Sequence, residues 1–424
     1  METTKTEATA PPSGGLIAAY TLALLFLANV FNYADRALLG IVIEPMRKEL
    51  LLNDTQISIV SGLAFSMFFL VAGIAVARWV DRGNRKLILI LGIIVWSAAT
   101  AATGWTLDFY SLAVARMLVG IGEAAVFPVA MSLLADYYPG PRLSRSVSIF
   151  QASSGVGVMV GSILAGILAA ALGWRSMFEV FGAAGIVFAL LVLLTMRPTP
   201  RAKTSNQTLE AGGFIGTLKA IFSVPGMAWL AFGYGASNMV LACLPIWSPT
   251  FLLRSHGVEL AQVGALVGPP AVIGGIAGGI LSGILATKLI QRTGNRGAGL
   301  LVPIVALPLA VPAFAVFLFA PTLPVVLLGI AVMNFMLASS LGPCVALAVS
   351  LVTPTRRGMT STLMLIVQTL LAFAFGPLLI GVVSDALTPS HGQEALRYAL
   401  SVMLIAPLAA SAMLFIARGK IKAD

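Results

Sequence analysis

The chain has 424 residues, of which 58% are hydrophobic and only 10% charged; a soluble domain carries roughly 25% charged residues. Its mean hydropathy of +0.98 and its recurrent apolar windows of about 20 residues, each enough to cross a bilayer, read as a polytopic α-helical membrane protein. Long alternating polar and apolar strands are absent, which argues against an outer-membrane barrel.

The spacing of apolar runs predicts twelve helices. Six lie near 17–43, 55–78, 87–105, 110–137, 146–171 and 174–196. Six more lie near 226–252, 260–288, 298–319, 322–352, 361–384 and 397–417. Residues 1–15 read as a disordered tail and 16–196 as a first six-helix bundle. The only long polar interior stretch, "MRPTPRAKTSNQTLEAGG" from Met196, reads as part of a cytoplasmic linker over 197–225. A second bundle follows over 226–417, with a tail at 418–424. No small-residue cleavage site follows the first apolar run, so it reads as a retained helix and not a signal peptide.

The net charge of +10 would suit nucleic acid, but its placement points elsewhere. With the N-terminus inside, nineteen of the 26 Lys and Arg fall in loops on that side and five on the other, while Arg36 and Arg116 lie within helices. That asymmetry is the positive-inside rule. It places both termini in the cytoplasm, in the cell inner membrane if the source is bacterial, and turns the excess charge toward anionic lipid.

The two halves echo one another. "GIAVARWVDRGNRK" from Gly73 matches "GILATKLIQRTGNRG" from Gly283, offset by 210 to 211 residues, and the segments ending at Gln151 and Gln368 match at an offset of 217. Duplicated six-helix halves place a substrate site between them, near the membrane midplane.

Three stretches carry informative charge, two of them inside predicted helices and the third in the loop between the second and third helices. In "NYADRALLG", residues 32–40, a helical wheel puts Asn29, Asn32, Tyr33 and Arg36 in one polar stripe. Asp35 is about 100° away, so Arg36 faces a cavity while Asp35 leans toward a neighbouring helix. Glu44 and Pro45 are expected to end the helix two turns later. In "RMLVGIGEAAVFP", residues 116–128, Arg116 and Glu123 share one face, separated by roughly 10 Å of rise. A charge at that depth costs several kcal/mol unless it is paired or wet. Asp35 and Glu123 are therefore candidates for proton coupling, because a buried carboxylate takes up or releases a proton as a neighbouring cation moves. In "ARWVDRGNRK", residues 77–86, Asp81, Arg82 and Arg85 form a candidate conformational latch, with Asp81 capping a helix or pairing with an arginine in one conformation only.

The second half has helix cores free of charge over 227–252, 260–286 and 360–384. Its polar candidates include Tyr234, Asn238, Asn334 and Gln368, which join Asn32, Tyr33, Arg36 and Arg116 as expected substrate-binding residues. One charged wall and one apolar wall suit an amphiphile. Gly275, Gly279 and Gly283 in the eighth helix, and Gly157 and Gly161 in the fifth, predict close helix approach. Cys243 and Cys344 fall inside apolar segments and suggest neither a disulfide nor a metal site.

"ARWVDRGNRK" resembles the signature of the major facilitator superfamily, with Asp81, Arg82, Arg85 and Lys86 matching, and with Ala77 and Asn84 in place of two glycines, which predicts looser local packing. Together with "NYADR", "RMLVGIGEA" and "GWR" at Gly173 it resembles the Spinster branch, over roughly residues 30–175. The anion:cation symporters of sugar acids share the Asn-Tyr-x-Asp-Arg motif of Asn32 to Arg36 and a Glu-Ala-x-x-Phe-Pro run, which Glu123 to Pro128 satisfies. The first resemblance implies a monomeric, proton-coupled carrier of lysophospholipid or sphingoid-phosphate type lipids without a cofactor. The second implies a proton-coupled symporter of small organic anions. Without a phosphate loop or nucleophilic triad an enzyme is not expected; a membrane enzyme or a receptor is the alternative of a different class.

Overall fold

The computed structural model describes residues 15–138, 141–197, 213–353 and 356–421. Most of the expected N-terminal tail, most of the expected linker and the last three residues lie outside these. Among the described residues every regular element is helical. Ten helical stretches are long and apolar enough to span a bilayer, and two of them are too long for one pass. Arg145–Thr195 has 51 residues, about 77 Å as a single helix at 1.5 Å per residue, against a hydrocarbon core of about 30 Å. It turns back at Gly173, whose φ of 84° and ψ of 158° are open to glycine alone. Arg357–Lys420, with 64 residues, turns at Gly392, where φ is 55°.

Among the described residues the result is twelve passes in two six-helix bundles. The first bundle contains α1 (Leu16–Glu49), α2 (Asp54–Arg82), α3 (Arg85–Thr103), α4 (Phe109–Tyr137), α5 (145–172) and α6 (174–195). The second contains α7 (Met227–His256), α8 (Leu260–Thr293), α9 (Arg296–Phe319), α10 (Leu323–Ser350), α11 (357–391) and α12 (395–420). A short helix, Gly213–Phe222, stands in the span read as linker, and α12 runs on through Arg418 and Lys420, where a tail was expected. An even number of passes returns the start of α1 and the end of α12 to one face, here called the termini face.

The helix ends follow from local chemistry. α1 does not stop at Pro45: a proline forfeits one N–H bond, but α1 continues to Glu49, with Arg47 and Lys48 in its last turn beside the negative end of its dipole. Asn53 then starts α2 through a capping box with Gln56. The internal repeat is real at the level of a single cap: Asn84 accepts from Leu87 N at the start of α3, and Asn295 accepts from Gly297 N at the start of α9. Asn84, expected to loosen its loop, therefore fixes a helix start.

Gly157 and Gly161 bring α5 against α1, as expected: a Cβ on either would fall 2.5 Å from Val30 O or Ala34 Cα. In α8 the contact faces differ from the expectation. Gly275, Gly279 and Gly283 have nothing within 4 Å of a built Cβ, whereas Gly274 and Gly278 meet Ala331 O and Phe335 O of α10 at 2.2 and 2.0 Å. One residue step rotates the position by about 100° around the helix, so the adjacent glycine row serves the interface.

The bundles join on the face opposite the termini. Leu38, Val42 and Met46 of α1 share one buried apolar cluster with Leu244, Trp247 and Phe251 of α7. Gly40 lies so close to α7 that a Cβ would sit 2.0 Å from Pro245 O. π-helical turns in α2 (Ile59–Ala64) and α11 (Thr369–Phe375) face each other across the divide, with Gly62 against Phe373 O.

The α8 packing gives a direct comparison. Gly274→Ala should lower thermal stability in detergent, by about 1–3 kcal/mol as overpacking does, while Gly275→Ala should be neutral or stabilising by up to about 1 kcal/mol through helix propensity. Melting curves of the two variants check this, and equal behaviour would contradict the assigned interface.

Candidate functional site

The polar stripe of α1 forms as its periodicity predicts, and its members reach two neighbouring helices, α4 and α5. Asn29 Nδ2 donates to Ser153 Oγ of α5 at 2.8 Å. Asn32 Nδ2 donates to the Glu123 carbonyl of α4 at 3.4 Å, where the regular helix Phe109–Glu123 ends before resuming at Val126.

The four charges pair crosswise. Arg36 Nε donates to Glu123 Oε2 at 2.7 Å, and Arg116 Nη1 donates to Asp35 Oδ2 at 3.2 Å. Thr100 Oγ1 of α3 completes the second pair by donating to Asp35 Oδ1 at 2.5 Å. Neither the neighbours Asp35 and Arg36 nor the helix-mates Arg116 and Glu123 form an ion pair. Helix geometry gives the reason: adjacent residues diverge by about 100°, and a seven-residue step spans roughly 10 Å, beyond ion-pair reach.

The two pairs differ in exposure. The Arg36 side chain is 22% exposed and its partner Glu123 is fully buried, whereas Arg116 and Asp35 are both buried, at 2% and 5%. Arg36 also lies among three aromatic rings: its guanidinium carbon is 4.9, 5.0 and 4.9 Å from the ring centres of Tyr33, Phe65 and Phe69. Phe65 stands over Arg116 as well, at 5.5 Å. Such contacts are worth about 0.5–2 kcal/mol each when desolvated. Glu123 Oε1 and Arg116 Nε are buried and make no hydrogen bond. The outer pair thus has unused hydrogen-bonding capacity beside an accessible cation, while the inner pair is enclosed.

In the second bundle Tyr234, Gln368 and Asn238 come together. Tyr234 Oη donates to Gln368 Oε1 at 3.2 Å, Gln368 Nε2 donates to Asn238 Oδ1 at 3.1 Å, and Asn238 Nδ2 donates to Tyr234 O at 2.8 Å. Tyr234 and Asn238 stand on α7, which packs against α1 across the divide. Asn334 bonds back to Ile330 O of its own helix and not to this cluster. Among the described residues no three His, Cys, Asp or Glu side chains gather into a group able to hold a metal.

The latch residues separate. Arg85 is buried and pairs with Asp136 of α4, with Ser132 Oγ as a further acceptor at 3.1 Å. Asp81 and Arg82 are exposed on the termini face. The sequence reading did not single out Thr100, Phe65 or Phe69. All three are ordinary apolar-helix residues, and only the tertiary contact reveals them.

Residues 25–377 match the family model of the Major Facilitator Superfamily. The chain belongs to that superfamily. It is 30% identical over 391 residues to an MFS-type efflux pump of Mycolicibacterium smegmatis, covering 90% of this chain and 88% of that protein. It is 27% identical over 402 residues to protein spinster homolog 1 of Xenopus tropicalis, covering 89% and 76%. Its fold matches a crystal structure of a bacterial homolog of the human lysosomal transporter Spinster in an inward-facing, unoccupied conformation, with a TM-score of 0.86 at 24% identity over 96% and 98% of the two chains. The superfamily and the fold make it a transporter that resembles the Spinster branch.

The burial of the inner pair changes what a substitution there should do. Arg116→Ala leaves Asp35 enclosed without its cation, which costs about 3–5 kcal/mol, so the variant should lose thermal stability or yield. Arg36→Ala removes the more exposed cation, at 22%, leaves a carboxyl that can take up a proton in its place, and should fold. Adding Asp35→Asn to Arg116→Ala should recover much of the loss. Size-exclusion profiles and melting curves read this, and a fully stable Arg116→Ala would contradict the enclosed pair.

Proposed function

We propose that this transporter carries an amphiphilic anionic or zwitterionic lipid of lysophospholipid or sphingoid-phosphate type, by alternating access and coupled to protons. The observation that carries the reading is Arg36: a cation inside a membrane bundle, part exposed, caged by three aromatic rings and held by a buried carboxylate that has one oxygen unused. An anionic headgroup competes with Glu123 for Arg36, and its tail lies against the charge-free wall of the second bundle, where Tyr234, Asn238 and Gln368 offer neutral hydrogen bonds. Arg116 orders the site from behind by fixing Asp35.

Coupling follows from the same competition. When substrate draws Arg36 away, Glu123 is left in an apolar enclosure without its cation and takes up a proton; when substrate leaves, Arg36 returns and the proton is released. Asp35 is the second carboxylate of the relay, with Arg116 and Thr100 as its partners. The positive-inside asymmetry supports cytoplasmic termini, in the inner membrane if the source is bacterial. The joined face then looks outward and the molecule is inward-facing. The exposure of Asp81 fits a latch that is released in this state and engages in the other. The carrier acts as a monomer, the bundles themselves supplying both walls of the site. The spinster homologs among its relatives support a carrier of the Spinster type. The sugar-acid motif at Glu123 to Pro128 supports the alternative of a small organic anion.

The test is uptake into proteoliposomes of a labelled lysophospholipid and of a sugar acid, with and without an imposed pH gradient. Lysophospholipid flux that responds to the gradient is expected. Arg36→Ala should reduce it about tenfold or more, the scale of a lost charged hydrogen bond. Asp35→Asn and Glu123→Gln should lose the gradient response while keeping substrate exchange. Sugar-acid flux without lipid flux would select the alternative, and unchanged flux in Arg36→Ala would overturn the headgroup site.

A further inference from the structure

On the joined face, four helices converge on two carboxylates. Arg254 of α7 donates from both terminal nitrogens to Asp54, at 2.9 Å each, and from Nε to Glu44 at 2.8 Å. Ser384 Oγ of α11 donates to Asp54 Oδ2 at 2.6 Å. The neighbouring Asp385 accepts the backbone N–H groups of Asp54 and Thr55 at 2.9 and 2.8 Å, so an acid of the second bundle caps the first turn of a helix of the first. Glu44 and Asp54 belong to the first bundle, and Arg254, Ser384 and Asp385 to the second. Each of these bonds therefore crosses the divide. The Arg254, Glu44 and Asp54 side chains are nearly enclosed, at 10%, 11% and 4% exposure.

A second arginine stands at the same carboxylates from within their own bundle. Arg47 lies three residues beyond Glu44 on α1. Its Nη2 is 3.4 Å from Glu44 Oε1 and its Nε is 3.9 Å from Asp54 Oδ1. That Nε is buried and makes no hydrogen bond. Lys48, mostly exposed, is 3.4 Å from Glu44. The first bundle thus holds two carboxylates beside two cations, and the second holds Arg254 near Asp385. Each bundle is charge-balanced by itself, although the strongest bonds run between them.

Separating the bundles withdraws Arg254 from two enclosed carboxylates, and removing one partner from a buried pair is strongly unfavourable. We propose that this face opens by charge exchange: Arg47 takes Glu44 and Asp54 over from Arg254, and Arg254 turns to Asp385 as that carboxylate leaves the N-terminus of α2. The proposal rests on the alternating-access reading and adds its gate. No charge is left bare on either side, so opening costs only the difference between two sets of ion pairs. Arg47 is then a positioning residue whose loss hinders opening, while loss of Arg254 hinders closing.

Opposite signs make this testable. Labels at Leu51→Cys and Glu259→Cys, both exposed, report the width of this face by pulsed electron paramagnetic resonance in nanodiscs. The two native cysteines are buried and leave labelling to the introduced sites. The parent should show a narrow and a wide population. Arg254→Gln should raise the wide-to-narrow ratio and Arg47→Gln should lower it, each by about fivefold or more, the low end of conformational couplings, and Ser384→Ala should raise it by less. Arg47→Lys should restore the parent ratio. A shift of Arg47→Gln in the same direction as Arg254→Gln, or no shift, overturns the exchange while the carrier reading stands. A single narrow population in the parent and in Arg254→Gln overturns the gate together with the carrier reading.

Discussion

Hydrocarbon accepts a charge only with a partner, at about 3 kcal/mol for each one left at a helix centre, and this constraint organises the first bundle. Asp35, Arg36, Arg116 and Glu123 cannot satisfy it within their own helices, so α1 and α4 are bound to each other by two crossed pairs. One pair is enclosed and supported by Thr100. The other is the only one of the two open to the space between the bundles. Function follows from this difference in exposure. A fully enclosed set would be architecture, and a fully exposed set would be solvated and indifferent to a ligand. On the proposed reading, a cation that is part exposed and held by a buried acid is taken by an anion, and its acid then answers with a proton.

The same constraint governs the joined face. Glu44 and Asp54 are nearly enclosed, and their best hydrogen bonds come from the other bundle. A transporter must break such a contact in every cycle, so a tight contact needs a substitute close by. Backbone proximity reinforces the closed arrangement: Gly40 against Pro245 and Gly62 against Phe373 leave no room for a side chain between the bundles. Apolar closure and ionic closure therefore act together on this face.

The architecture was legible because hydrocarbon thickness fixes helix length: twelve apolar runs became twelve passes, with Gly173 and Gly392 supplying the two turns that helix signals alone would have bridged. The polar stripe of α1 and the outward lean of Asp35 were legible because they depend on one helix's periodicity. The partner of each charge was not, since periodicity gives an angle on one helix and says nothing of what faces it; hence the crossed pairs, the aromatic cage and Thr100 emerged only from the tertiary structure. Asn334 illustrates the same limit, as a polar residue in the right helix whose amide turns back on Ile330 O. The end of α1 was misplaced because Pro45 was read as a stop, where the helix carries Glu44 on to its contact with Arg254. The contacting glycine row of α8 was displaced by one position for a related reason: small residues occur on two adjacent rows and only packing selects between them.

On the proposed reading, Arg36 leaves Glu123 for the substrate and Glu123 then binds a proton. Proton exchange on binding, measured by a pH indicator in weakly buffered detergent solution as lysophospholipid is added to the purified protein, tests it without any need for transport. The account expects proton uptake that saturates with binding, is absent in Glu123→Gln and is lost in Arg36→Ala. Saturable binding with no proton uptake, or uptake undiminished in Glu123→Gln, would contradict it.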